Sequence, residues 1–113
     1  MYQGSLWLDF ENDHEEAHFS AEISRCIINN NEIIFQFTGI DEGSRYSGSC
    51  RLSKNGEKYY GVGIFKYEGG DEISSTVEVS LDKDGPEILL HGTWKDEGDK
   101  ESYDLEAVLS LGV

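Results

Sequence analysis

The chain has 113 residues, with 23 Asp and Glu against 9 Lys and Arg, a net charge of −14, and a hydrophobic content of 37%. A field this negative repels nucleic acid and anionic membranes, and it attracts basic partners. A disordered acidic tail is excluded, because such tails lack the aromatic and β-branched residues that are plentiful here. The length fits a single domain, residues 1–113.

The charge is divided into three blocks along the chain. Residues 1–42 sum to −8, residues 43–67 to +4 and residues 68–113 to −10. The central block mixes basic and aromatic residues, a combination that can bind single strands of nucleic acid. The acidic remainder of the chain opposes such binding, so we expect the basic residues to balance acidic neighbours on adjacent strands.

Short alternating apolar runs, separated by turn residues, predict eight strands in chain order. Asn29-Asn30-Asn31 predicts one turn, and Asn55-Gly56 predicts a two-residue type I′ hairpin turn. Glycines inside the predicted strands, such as Gly61, indicate bends of the kind found at barrel corners. The pattern therefore predicts an all-β fold, an antiparallel eight-stranded meander that forms a barrel or half-barrel. The predicted apolar faces include Leu6, Leu8 and Phe10; Ala17, Phe19, Ala21 and Ile23; Ile33, Phe35 and Phe37; Tyr46, Cys50 and Leu52; Val77, Val79 and Leu81; and Tyr103, Leu105, Ala107 and Leu109.

The segment 13–28 fits two structures. As a strand it alternates up to Ile23, with a β-bulge expected at Arg25. As a helix it places Phe19, Ile23 and Cys26 on one face, with Asp13 near its cap. The helix would change the class to α+β, with a sheet wrapping one N-terminal helix.

The sequence His14-Glu15-Glu16-Ala17-His18 matches H-E-x-x-H, the motif of zinc-dependent proteases. The motif needs a helix, since on a strand the two histidines stand about 13 Å apart and cannot share a metal. No spacing typical of a third ligand follows, so we expect a chance match and no metal site.

Other catalytic signals are weak. Cys26 and Cys50 occupy alternating positions, which favours buried thiols over nucleophiles. Asp82-Lys83-Asp84-Gly85 lacks the later ligands of a calcium loop. We therefore expect a protein that is not an enzyme and has no cofactor. The N-terminus has no secretory pattern and no apolar run could span a membrane, so we also expect a cytoplasmic protein that is a monomer or a weak homo-oligomer.

Acidic residues in turns and on outward positions form the predicted partner-binding surface. They would draw in a basic protein and speed the encounter. The predicted contact residues are Asp96, Glu97, Asp99 and Glu101, together with Asp9, Glu11 and Asp13 on the other acidic flank.

In size, charge and the absence of catalytic motifs, the chain resembles the small acidic immunity proteins of bacterial toxin systems. The resemblance implies a partner that is a basic nuclease toxin, whose nucleic-acid site the carboxylates would cover in place of phosphates.

Gly92-Thr93-Trp94 and the strand meander resemble the calycin barrels, which include lipocalins and fatty-acid-binding proteins. This second resemblance implies a filled barrel or a cavity for a small apolar ligand. The residues predicted to line that cavity are Phe35, Phe37, Phe65, Val77 and Trp94.

Overall fold

The computed structural model describes residues 1–112 and shows an eight-stranded antiparallel β-barrel. Each strand pairs with its neighbours in the chain, and β1 also pairs with β8, so the barrel is closed. Closure leaves no unpaired strand edge, which removes the usual site of edge-to-edge aggregation. The all-β prediction is confirmed. The strands are β1 (Tyr2–Glu11), β2 (Glu16–Ile28), β3 (Glu32–Asp41), β4 (Ser44–Asn55), β5 (Lys58–Tyr67), β6 (Glu72–Asp84), β7 (Glu87–Asp96) and β8 (Tyr103–Leu111).

The ambiguous N-terminal segment is strand β2, and the helical alternative for residues 13–28 is wrong. β2 pairs with β1 on one side and with β3 on the other. The register shifts between Ile23 and Arg25, which confirms the expected bulge. The bulge returns Cys26 to the interior, where it is fully buried. Two ladders of hydrogen bonds thus outweigh the helical spacing of the same apolar residues.

The barrel interior is a filled core rather than a pore. Most of the side chains that point inward are apolar and inaccessible, as the period of two along each strand predicts. Gly63 leaves room for Trp94, since a Cβ added at Gly63 would overlap the indole ring. The buried apolar residues are Leu6, Ala21, Ile23, Cys26, Ile33, Phe35, Phe37, Tyr46, Cys50, Leu52, Tyr59, Val77, Val79, Ile88, Leu90, Trp94, Leu105, Ala107 and Leu109.

The up-and-down order sends alternate turns to opposite ends of the barrel. We call one end the acidic end; it contains residues 11–16, 41–44, 67–72 and 96–103. The opposite end contains residues 28–32, 55–58 and 84–87, together with the first residues of β1 and the last residues of β8.

The turn between β4 and β5 lies one residue later than predicted. Asn55 pairs with Lys58, so the central turn residues are Gly56 and Glu57. Gly56 has φ of 70°, which places the left-handed residue first in the turn, where glycine is favoured. The hairpin itself is confirmed, but the predicted Asn55-Gly56 register is wrong.

Candidate functional site

The two ends of the barrel differ in charge. The acidic end contains thirteen Asp and Glu residues and a single Lys, a net charge of −12, whereas the opposite end sums to −3. The cause is the meander, because turns that are far apart in sequence meet at one end. The acidic end therefore concentrates more than half of the 23 carboxylates of the chain.

The two predicted acidic flanks are neighbours in the structure. The turn before β2 contacts the turn before β8, and Asn12 Nδ2 donates a hydrogen bond of 3.1 Å to Glu101 Oε2. The pairing of β1 with β8 brings these turns together, although they are 89 residues apart. The predicted residues that meet here are Asp96, Glu97, Asp99 and Glu101 from one flank and Glu11 and Asp13 from the other.

Asp9 lies further from the turns, on the outer wall of β1. Its Oδ1 is 2.7 Å from His18 Nδ1 on β2, directly across the ladder. This hydrogen bond is the main cause of a raised pKa at His18, with a further contribution from Glu16. Asp9 therefore interacts with a side chain of the neighbouring strand, and its carboxylate is less available to a partner than those in the turns.

Seven further carboxylates at the acidic end were missed from the sequence. The available signal was the meander itself, since alternate turns of an up-and-down barrel must share an end. The missed residues are Glu15, Glu16, Asp41, Glu42, Glu68, Asp71 and Glu72.

Inside the barrel, at the acidic end, buried and partly buried aromatic residues surround a cavity of about 30 Å³. Phe19 contacts both Tyr46 and Tyr103 edge to face, with ring centroids 6.2 Å and 5.7 Å apart. The rings of Tyr46 and Tyr67 are also in contact, with centroids 5.8 Å apart. We call this group the aromatic cup. Its lining residues are Leu8, Phe19, Phe37, Tyr46, Phe65, Tyr67, Trp94, Asp96 and Tyr103.

Two carboxylates face the cup and its mouth. Asp96 Oδ1 accepts hydrogen bonds from Trp94 Nε1 at 3.0 Å and from Ser75 Oγ at 2.6 Å. Asp41 Oδ2 accepts a hydrogen bond of 2.9 Å from the Tyr67 hydroxyl. Within residues 1–112, neither carboxylate lies within ion-pair distance of a Lys, Arg or His side chain. Both are therefore stabilised by neutral donors, and their negative charge is not cancelled by a nearby cation.

The nearby carboxylates affect the pKa values of the tyrosines in the cup. Burial, the hydrogen bond to Asp41 and nearby charges together raise the pKa of Tyr67 to about 12. Burial also raises the pKa of Tyr103, and the charges of Asp96, Asp99, Glu15 and Asp41 raise it further. Carboxylates from three different turns thus act on one phenol, which shows how closely the acidic end converges on the cup.

The residues predicted to line a ligand cavity divide into two groups. Phe37, Phe65 and Trp94 line the aromatic cup. Phe35 and Val77 instead lie in the packed core, where they are 1% and 3% exposed. The cup is therefore much shallower than a cavity formed by all five residues would be.

The structure gives no helix at the H-E-x-x-H sequence. His14 lies in the turn before β2, and His18 lies on β2 with its side chain bound to Asp9. Within residues 1–112, no group of three or more His, Cys, Asp and Glu side chains is arranged to hold a metal ion. The metalloprotease interpretation lacks the helix that it requires.

The two cysteines are free and buried, as expected. Burial raises the pKa of Cys26 to about 12 and raises that of Cys50 still further above the ordinary value for a thiol. Thiols of this kind are protonated at neutral pH and poor nucleophiles.

Two residues of the basic central block pair with acids on neighbouring strands. Lys58 Nζ lies 3.0 Å from Glu78 Oε1, and Arg51 Nε lies 3.6 Å from Glu32 Oε2. Both pairs join adjacent strands of the outer wall, as expected from the sequence. Residues 1–112 contain no helix with the length and hydropathy of a membrane-spanning segment.

Comparison with known proteins finds likeness in fold only. No family model and no curated protein matches the chain. A redesigned β-barrel is similar with 12% identity and a TM-score of 0.56, over 99% of this chain and 90% of that one. The redesigned β-barrel mFAP1, bound to DFHBI, gives 12% identity and a TM-score of 0.50, over 96% and 93%. The ywiB protein from Bacillus subtilis gives 9% identity and a TM-score of 0.49, over 99% and 92%.

Proposed function

We propose that this barrel is a non-enzymatic binding protein that neutralises a basic protein partner through its acidic end. The observation that carries the proposal is the charge of −12 at one end of the barrel, against −3 at the other. A basic nuclease toxin is the partner that the resemblance to immunity proteins suggests. The acidic end would then cover the nucleic-acid site of that toxin, with carboxylates in the place of phosphates.

The distance between the two ends supports an end-on approach. Strands of this length, tilted as in other barrels, separate the ends by roughly 25 Å. At physiological ionic strength, charges are screened over about 8 Å. A basic surface near the acidic end therefore experiences that end and little of the rest of the molecule. Such a local field speeds association and orients the partner.

The test compares two triple variants that change the total charge equally. Glu97→Lys/Asp99→Lys/Glu101→Lys alters exposed turn residues of the acidic end, and Glu57→Lys/Asp84→Lys/Glu87→Lys alters exposed residues of the opposite end. The probe is a fluorescein-labelled peptide of nine lysines, and the measurement is its association rate by stopped flow at several salt concentrations. We expect the first variant to associate about tenfold more slowly at low salt and to show a flatter salt dependence, with a smaller change for the second.

A competition assay tests occlusion directly. A short single-stranded oligonucleotide bound to the same peptide should be displaced by the wild-type barrel and by the opposite-end variant, but not by the acidic-end variant. Equal losses in the two triple variants would assign the effect to total charge and would contradict an interface at the acidic end.

The alternative proposal is a calycin-like carrier of a small apolar ligand. Known ligand pockets enclose about 300–1,000 Å³, whereas the cavity of the aromatic cup is about 30 Å³. The bound ligand of mFAP1 belongs to that protein, and at 12% identity the likeness extends to the fold alone. The size of the cavity favours the binding of a protein partner over the binding of an apolar ligand.

A further inference from the structure

We propose that the aromatic cup is a binding site for one primary ammonium group, supplied by a lysine side chain of the basic partner. The source of the ammonium rests on the proposed function, whereas the site itself stands on the geometry of the cup. The site combines three features: a cavity of matching size, a wall of aromatic rings and a carboxylate in the lining.

The size of the cavity selects a small cation. At about 30 Å³ it has room for a group the size of one water molecule. A lysine ammonium is compact, whereas the guanidinium of arginine is a wider planar group. The cup therefore favours lysine over arginine at this position.

The rings of the cup provide favourable contacts for a cation and for the methylene groups that carry it. Seven of the nine residues that line the cup are aromatic, and the other two are Leu8 and Asp96. A cation within about 6 Å of a ring is attracted by the negative face of the ring, and the attraction grows as water is excluded. The ring edges and the side chain of Leu8 are apolar, so an alkyl stem can pack against them.

Asp96 provides the opposite charge. Both of its hydrogen bonds within the barrel, from Trp94 and Ser75, are made to Oδ1. A carboxylate has two oxygens and about four acceptor positions, so these two bonds leave acceptor capacity for an ammonium. The carboxylate of Asp41 adds negative charge beside the same tyrosines. Burial is the largest cause of the raised pKa values of Tyr46, Tyr67 and Tyr103, and the charge of Asp41 raises each of them further.

Two indole groups make the site observable. Trp94 is fully buried and donates to Asp96, whereas Trp7 lies on the outer wall and is 38% exposed. In a nitrogen–proton NMR spectrum, n-butylammonium should shift the indole signal of Trp94 in a saturable way and leave that of Trp7 unchanged. Neutral n-butanol and the larger tetramethylammonium should shift the Trp94 signal much less.

Two variants that each remove one negative charge distinguish binding in the cup from attraction by the overall negative charge of the protein. Asp96→Asn keeps an oxygen that accepts from Trp94 and Ser75 but removes the charge, and Asp84→Asn removes one charge at the opposite end. We expect Asp96→Asn to weaken n-butylammonium binding at least tenfold and Asp84→Asn to weaken it less than twofold. Equal effects of the two variants, or equal shifts with butanol and butylammonium, would overturn the proposal.

The last arm identifies the source of the cation. The peptide acetyl-Gly-Lys-Gly-amide should shift the Trp94 signal as butylammonium does, and its Nε-acetyllysine form should not. If butylammonium binds and the lysine peptide does not, the cup takes a free amine, and the lysine part of the proposal is wrong. The other outcome is that the association rate of the nine-lysine peptide still depends on Glu97, Asp99 and Glu101, but no ammonium compound shifts the Trp94 signal. The proposed function then stands and the cup proposal fails.

Discussion

The two halves of the barrel are built from the same eight strands but are filled differently. Toward the opposite end the interior is mainly aliphatic and closed, with Leu52, Ile33 and Val79 at 0% exposure. Toward the acidic end it is aromatic and partly open, with Asp41 and Asp96 among the inward side chains. We therefore expect the first half to contribute most of the stability, and the proposed binding uses the second half. A closed barrel tolerates a polar mouth because the other half supplies the packed core.

A matched pair of Leu→Ala substitutions gives the largest expected effect. Leu52→Ala empties a fully buried site in the packed half and should lower the free energy of unfolding by about 2–5 kcal/mol. Leu8→Ala alters a partly buried residue beside an existing cavity, and its cost should be under about 2 kcal/mol. Urea unfolding followed by circular dichroism measures both. Equal costs would show that the two halves are equally packed.

The loss of folding stability at alkaline pH should depend on the protonation of Tyr67 in the cup. The pKa of Tyr67 is raised to about 12, so between pH 10 and 12 the folded protein keeps a proton that the unfolded chain has lost. Stability contributed by the neutral phenol is therefore complete below pH 10 and decreases as the pH rises through this window. Tyr67→Phe should make the decrease shallower, although it removes the hydrogen bond to Asp41.

Urea unfolding at pH 8, 10 and 11.5 measures this slope. Tyr60→Phe is the control, because it removes a phenol from the exposed outer wall and leaves the cup intact. An equally steep loss of stability in the wild type and in Tyr67→Phe would show that Tyr67 is not the cause of the loss.

The smallest expected effect lies on the outer wall beside the acidic end. The hydrogen bond from Asp9 is the largest cause of the raised pKa of His18. Any stability that this pair contributes is therefore present below the ordinary histidine pKa and is lost as the pH rises through the folded value. Asp9→Asn should lower the pKa of His18 in an NMR titration, and Asp84→Asn should not. An unchanged pKa in Asp9→Asn would assign the shift to Glu16 instead.

The candidate site was only partly predictable from the sequence. The acids of residues 96–101 were identified because they form a dense cluster in one turn. Their contact with the turn of Asp13, made through Asn12 and Glu101, depends on the closure that pairs β1 with β8. Asp96 was not recognisable as a lining residue of the cup, nor Asp41 as the partner of the Tyr67 hydroxyl, because nothing local distinguishes an inward carboxylate from a solvated one.

Outside residues 13–28, the sequence by itself determined the strands and the side of each strand that is buried, because side chains alternate with a period of two and the apolar residues follow that period. It did not decide between strand and helix at residues 13–28, where the apolar spacing satisfies both periods. Pairing with β1 and β3 decided that segment, since the hydrogen bonds of a closed barrel are available only to a strand. The tertiary structure also decided which turns share an end, and the concentration of charge there follows from strand order rather than from any single stretch of the chain.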